Sequence, residues 1–110
     1  MAYDERLAER VRDIVEQRPG VVERRMFGGV GWMVGGNLAC GVMADDLIVR
    51  LAPAEVEDAC REPHVGVFGR EGRRPMRGFV LVDATGLAED ADLARWVDRG
   101  AARASALPPK

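Results

Sequence analysis

The chain holds two cysteines, Cys40 and Cys60, and one histidine, His64, and these set the limits of its thiol, imidazole and metal chemistry. Cys60 and His64 lie four apart, a spacing that on a helix turns two ligands the same way. Pro63 stands between them and breaks such a helix. A closed structural zinc site takes four Cys or His ligands and the chain has three, so no metal and no cofactor is expected. Cys40 as a nucleophile would need a base, with His64 the one imidazole on offer. A small apolar cysteine in the core is the simpler expectation. Two cysteines also fall short of a disulfide framework, and both are expected as reduced thiols in a cytoplasmic protein.

The remaining candidates are glycines, carboxylates and arginines. Gly28-Gly29-Val30-Gly31 has the look of a phosphate loop. It lacks the lysine of that motif, a GxGxxG would need glycine where Val34 stands, and it leads into a strand rather than a helix. A bend or bulge at which backbones approach closely explains it better. Asp45-Asp46 reads as a turn and Glu89-Asp90 as a helix start, neither with the apolar surroundings that general acid–base work requires. From Arg61 to Arg77 five arginines face two glutamates, whereas Asp83 to Asp98 is strongly acidic. Within the basic stretch Arg70, Arg73, Arg74 and Arg77 fall in eight residues of a glycine-containing loop. Guanidinium forks there suit an acidic protein surface first and DNA second. Pairing of this basic loop with the acidic helix start, or plain solvation, is the alternative use of the same charges.

These residues must be held by elements that the apolar spacing predicts. Asp4 caps a first helix to about Gln17, with Leu7, Val11, Ile14 and Val15 on one stripe and Pro19-Gly20 as the stop. Val21 to Met26 is a short first strand or an extended lead-in. Val30 to Val34 and Leu38 to Met43 form a hairpin about Gly35-Gly36-Asn37, and Leu47 to Leu51 follows after Asp45-Asp46. In these strands Val30, Trp32 and Val34, then Leu47, Val49 and Leu51, share one side; Gly31, Met33, Ile48 and Arg50 take the other. Pro53 opens a short helix that Glu62-Pro63 ends. Val65 to Met76 is irregular, with Val67-Phe68 able to pair beside a strand from Phe79 to Val82. Asp83 to Asp90 is a loop. A last helix runs from about Asp90 to Ala106, its stripe carrying Leu93, Trp96, Val97, Gly100 and Ala101. Trp96 and Val49 are expected to be buried.

The order is helix, three-strand meander, helix, one or two strands, helix, with an extra short strand at the N-terminal side. Strands joined by such short turns are antiparallel, so the fold is α+β: two layers, an antiparallel sheet with helices on one face. With 110 residues, a formal net charge of −2, 47% hydrophobic and 31% charged residues, the chain is expected to be one globular domain over residues 1–110. No apolar run approaches the length of a membrane helix, and Met1 to Arg12 has no signal-peptide core.

Met26-Phe27-Gly28-Gly29-Val30-Gly31 before a hydrophobic hairpin resembles the start of the N-terminal domain of the TfoX/Sxy family. Matches continue in order: Asp46-Leu47-Ile48-Val49-Arg50, then Arg74-Pro75-Met76-Arg77-Gly78-Phe79-Val80, then Leu93 to Val97, and finally Leu107-Pro108-Pro109-Lys110. The resemblance implies a secretion-chaperone-like α-β-β-β-α-β-β-α fold. Members named for natural competence are transcriptional coactivators thought to work with the cyclic-AMP receptor protein. This chain resembles the N-terminal domain standing alone, without the second, helical domain of those regulators, and no catalytic residue carries over. The expectation is a small non-enzymatic regulatory or adaptor domain, monomeric or homodimeric, that binds a protein of the transcription machinery. Two alternatives are a nucleic-acid-contacting accessory protein working through Arg70, Arg73, Arg74 and Arg77, and an enzyme of unknown type.

Overall fold

In the computed structural model, residues 3–26, 28–68 and 78–110 are described. The first helix, α1 (Glu5–Val15), starts where the Asp4 carboxylate accepts hydrogen bonds from the backbone N–H groups of Arg6 (2.9 Å) and Leu7 (3.2 Å). It ends two residues before the expected Gln17. Pro19 bars Arg18 from helical geometry, and the Arg18 N–H instead closes a tight turn onto Val15 O at 2.8 Å.

Four strands follow in sequence: β1 (Val21–Met26), β2 (Gly29–Val34), β3 (Asn37–Met43) and β4 (Asp46–Arg50). The extra N-terminal segment is therefore a full strand, pairing with β2 over its whole length. Helix α2 (Pro53–Ala59) leads to β5 (Val65–Val67), which includes Val65 and Gly66 as well as Val67. β6 (Phe79–Val82), a 3₁₀ turn (Ala84–Leu87) and α3 (Asp90–Ala106) complete the chain. All pairs are antiparallel, in the order β1-β2-β3-β4-β6-β5, which leaves β1 and β5 as edges.

Alternation sorts each strand onto two faces. The inner face carries Val30 and Trp32 of β2, Cys40 and Val42 of β3, Leu47 and Val49 of β4, and Val80 and Val82 of β6. All three helices lie against it: Leu7, Val11 and Val15 from α1, Ala59 from α2, and Leu93, Trp96 and Val97 from α3 belong to the same buried cluster. Trp96 is 1% exposed and Val49 0%, as their positions on the stripe and the strand predict.

One irregularity shapes the packing. The pairing slips between Trp32 and Met33, so that Trp32 faces Cys40 and Met33 faces Leu38, and Ala39 is the extra residue of a β-bulge. The bulge turns the Ala39 carbonyl toward α3 at Gly100. Nearby, Gly35 and Gly36 both adopt positive φ (59° and 82°), the backbone that a tight two-residue hairpin of this hand requires. The last residues close over this turn. Asn37 donates from Nδ2 to the Pro108 carbonyl (3.0 Å), and the Lys110 N–H donates to Gly35 O (2.8 Å).

Candidate interaction surfaces

The four arginines singled out from the sequence, Arg70, Arg73, Arg74 and Arg77, lie outside the described residues. Among the described residues the basic stretch and the acidic helix meet with their signs exchanged. Glu62 receives the Arg95 guanidinium (3.1 and 3.4 Å) and approaches Arg99 (3.8 Å), while Arg61, just beyond α2, pairs with Asp58 of that helix. His64 Nδ1 stands 3.3 Å from an Asp83 oxygen at the outer end of the β5–β6 pair.

The thiol, glycine and carboxylate candidates resolve into structural roles. Cys40 is 1% exposed between Trp32 and Val49, and burial pushes its thiol up to about 12, so it holds no thiolate at neutral pH. Cys60 caps the end of α2. No cluster of three His, Cys, Asp or Glu side chains suited to a metal occurs among the described residues. Gly28 turns β1 into β2 with φ +75°, and a side chain on Gly29 would collide with the Val42 carbonyl oxygen of β3. The glycine cluster is thus a turn and a close backbone approach. Asp46 departs from the sequence expectation. Burial, with Asp83 and Asp45 adding repulsion, raises its carboxyl above the ordinary aspartate value.

Two surfaces remain. The first is the outer face of the sheet. Here Met26, Met33, Leu38, Met43, Ile48 and Leu81 stand on neighbouring strands over Gly31 and Gly41, with Phe79 beside Phe68 (ring centroids 6.4 Å apart, edge to face). The Gly31 floor is filled by the side chains of Met26 and Leu38. Among the described residues the charges on this face are Arg24, Asp46 and Arg50, the last with its guanidinium 4.7 Å from the centre of the Phe79 ring. Among the described residues no helix packs on it. Its signal was present in the sequence: a strand with one solvated face places polar residues at alternate positions, whereas Gly31, Met33, Gly41 and Ile48 are small or apolar.

The second is an open cleft of about 710 Å³ between α1 and edge strand β1, lined among others by Glu9, Arg12, Asp13, Glu16, Glu23 and Trp32. Glu23 points inward from β1. Its Oε1 accepts from Arg12 Nε (2.7 Å) and Trp32 Nε1 (3.1 Å), and Oε2 accepts from Arg12 Nη2 (3.1 Å), so one carboxylate ties α1, β1 and β2 together. The hydrogen bonds and charge of Arg12 hold the Glu23 carboxyl below the usual glutamate range, against the opposing effect of burial.

A pH dependence follows from that direction. Because folding lowers the Glu23 pKa, the pair stabilises the fold above the unfolded value near 4.5, and this support disappears as pH falls through the folded value. Glu23→Gln should therefore melt lower than the parent at pH 7 and converge with it in acid. The gap at pH 7 should be about 1 kcal/mol, limited by solvent screening of a pair whose side chains are 42% and 38% exposed. Thermal melts across the acid range read the effect directly; parallel curves at every pH would refute the role given to this carboxylate.

A family model described as the TfoX N-terminal domain matches residues 13–104, nearly the whole chain. A comparison with curated proteins returned no match. No helix among the described residues is long and apolar enough to cross a membrane.

Proposed function

Because the chain belongs to the TfoX N-terminal domain family, we propose that it is a small non-enzymatic regulatory or adaptor domain acting through protein–protein contacts. The observation that carries this reading is the outer face of the sheet, where the half-buried side chains of Met26, Met33, Leu38, Met43 and Leu81 gather over a glycine floor beside buried Ile48 and Phe79. Methionine in particular adapts its shape to a partner surface. The partner is a component of the transcription machinery in the cytoplasm, as the resemblance to the competence coactivators implies. Arg70, Arg73, Arg74 and Arg77 enter this proposal from sequence alone, as the part that meets an acidic patch of the same partner.

Affinity capture with the parent chain, Met33→Lys and the double variant Arg73→Ala/Arg74→Ala tests the proposal. Met33 is half-buried at the rim of the face, so the lysine variant should fold and melt near the parent. The captured protein should be lost with Met33→Lys and weakened with the double arginine variant. Capture unchanged by both variants would remove the proposal. Salt-dependent DNA binding with a log–log slope of up to about −3.6, flattened by the arginine variant, would put nucleic acid in the protein partner's place.

A further inference from the structure

Edge strand β1 carries an unusual charge order for a strand with one open side. Val21, Glu23 and Arg25 point to the inner face; Val22, Arg24 and Met26 point to the outer face. Among the described residues β2 is its one partner in the sheet and its far side is unpaired, and Val22 on its outer face is 54% exposed. Charged side chains such as Glu23, Arg24 and Arg25 ordinarily blunt an edge against pairing, and they permit it only in a register that opposes unlike charges. Three carboxylates, Glu9 and Asp13 of α1 and Glu16 at its C-terminal cap, line the cleft along the inner side of this edge. Arg12 and Arg18, the cleft's own cations, are committed to Glu23 and Asp98, the latter at 2.6 Å. Neither Arg24 nor Arg25 forms an ion pair with another described residue.

We infer that β1 pairs antiparallel with β1 of a second copy of this chain, about a twofold axis through Arg24, extending the sheet across both copies. The register follows from charge. Antiparallel strands related by an axis perpendicular to the sheet keep inner residues opposite inner residues. An axis through Arg24 then sets Glu23 opposite Arg25 of the second copy and Val22 opposite Met26 of the second copy, each pair occurring twice. It also brings each Arg25 to the acidic side of the other copy's cleft. An axis through Glu23 would oppose Glu23 to itself and Val22 to Arg24; one through Val22 would set Val21 against Glu23; one through Arg25 would set Arg24 against Met26. Of these registers the one centred on Arg24 is alone in opposing unlike charges and apolar side chains at once. Its cost is the Arg24–Arg24 contact on the axis, on a face where solvent screens it.

That cost gives the test a signature of opposite signs. Sedimentation from micromolar to millimolar protein should show a mass rising from 12.0 kDa toward twice that value. Arg25→Glu replaces two attractions with two repulsions and should weaken association by about tenfold or more. Arg24→Thr removes the like-charge contact and should tighten it. Residues directly opposite lie about 4.5–5.5 Å apart at Cα, within the reach of a disulfide. In a Cys60→Ser background, Arg24→Cys should therefore cross-link to a covalent dimer under mild oxidation, whereas Val22→Cys should stay monomeric. A single 12.0 kDa species at every concentration would overturn the inference, as would Val22→Cys cross-linking as readily as Arg24→Cys.

Discussion

Trp96→Ala is expected to lower the stability of this chain by about 3–5 kcal/mol, the range for emptying the site of a buried aromatic. The indole sits mid-stripe on α3 at 1% exposure, and its cluster reaches through the helices to Trp32, Leu47 and Val49 of the sheet. The ring is roofed by charge: the guanidinium carbons of Arg95 and Arg99 lie over it, 4.7 and 4.8 Å from the ring centre. Arg95 is itself anchored by Glu62, just beyond α2, so the indole also braces the contact between α2 and α3. A domain of this size has about 5–15 kcal/mol of stability in all, and the variant should be largely unfolded well below the parent's melting temperature. Arg99→Ala removes one cation–π contact at a half-exposed position and should cost less than about 1 kcal/mol. Urea titration of both variants checks the order. A Trp96→Ala protein that melts within a degree or two of the parent would mean that α3 does not pack as described.

Elements whose periodicity is set by water and the core together could be read from the residues. α3 shows this best: Leu93, Trp96, Val97, Gly100 and Ala101 mark its inner stripe, and the helix runs from Asp90 to Ala106 as their spacing predicts. The hairpin at Gly35-Gly36 is equally direct, because those residues tolerate the positive φ it needs. Features created by partners distant in sequence left weaker marks. Val-Val-Glu-Arg-Arg-Met has no alternation, since Glu23 points inward only because Arg12 of α1 and the Trp32 N–H meet it there. β5 gains Val65 and Gly66 through pairing with Val82 and Leu81, contacts that the local sequence around Pro63 and Gly66 conceals. Of the surfaces, the apolar outer face was legible in the alternate positions of β2, Gly31 and Met33, and less so in β4, where Ile48 stands between Asp46 and Arg50. The edge of β1 required knowing that this strand is outermost in the sheet.

The bulge at Ala39 had no sequence mark at all, and it supports the second large effect. Gly100 lies at the point where α3 meets β3, and a β-carbon there would be driven into the Ala39 carbonyl oxygen, with Val49 Cγ1 a further 3.4 Å contact. Helix propensity alone makes the opposite forecast, because glycine in a helix interior is worse than alanine by about 1 kcal/mol. Contact decides the sign. The obstructing atom belongs to the backbone of a bulge held between β2 and β4, and it cannot rotate aside as a side chain could. The helix must instead lift from the sheet, loosening Leu93, Trp96, Val97 and Ala101 together. Overpacking of this kind costs about 1–3 kcal/mol and more where nothing yields. Gly100→Ala should therefore destabilise by about 2 kcal/mol net, and Gly100→Val by more, despite the gain in helix propensity for alanine. A control at Ala102, exposed on the same helix, separates the two effects: Ala102→Gly should cost only the propensity term of about 1 kcal/mol. Chemical denaturation of the three variants gives the comparison, and a Gly100→Ala protein more stable than the parent would show that α3 stands further from the bulge than this packing requires.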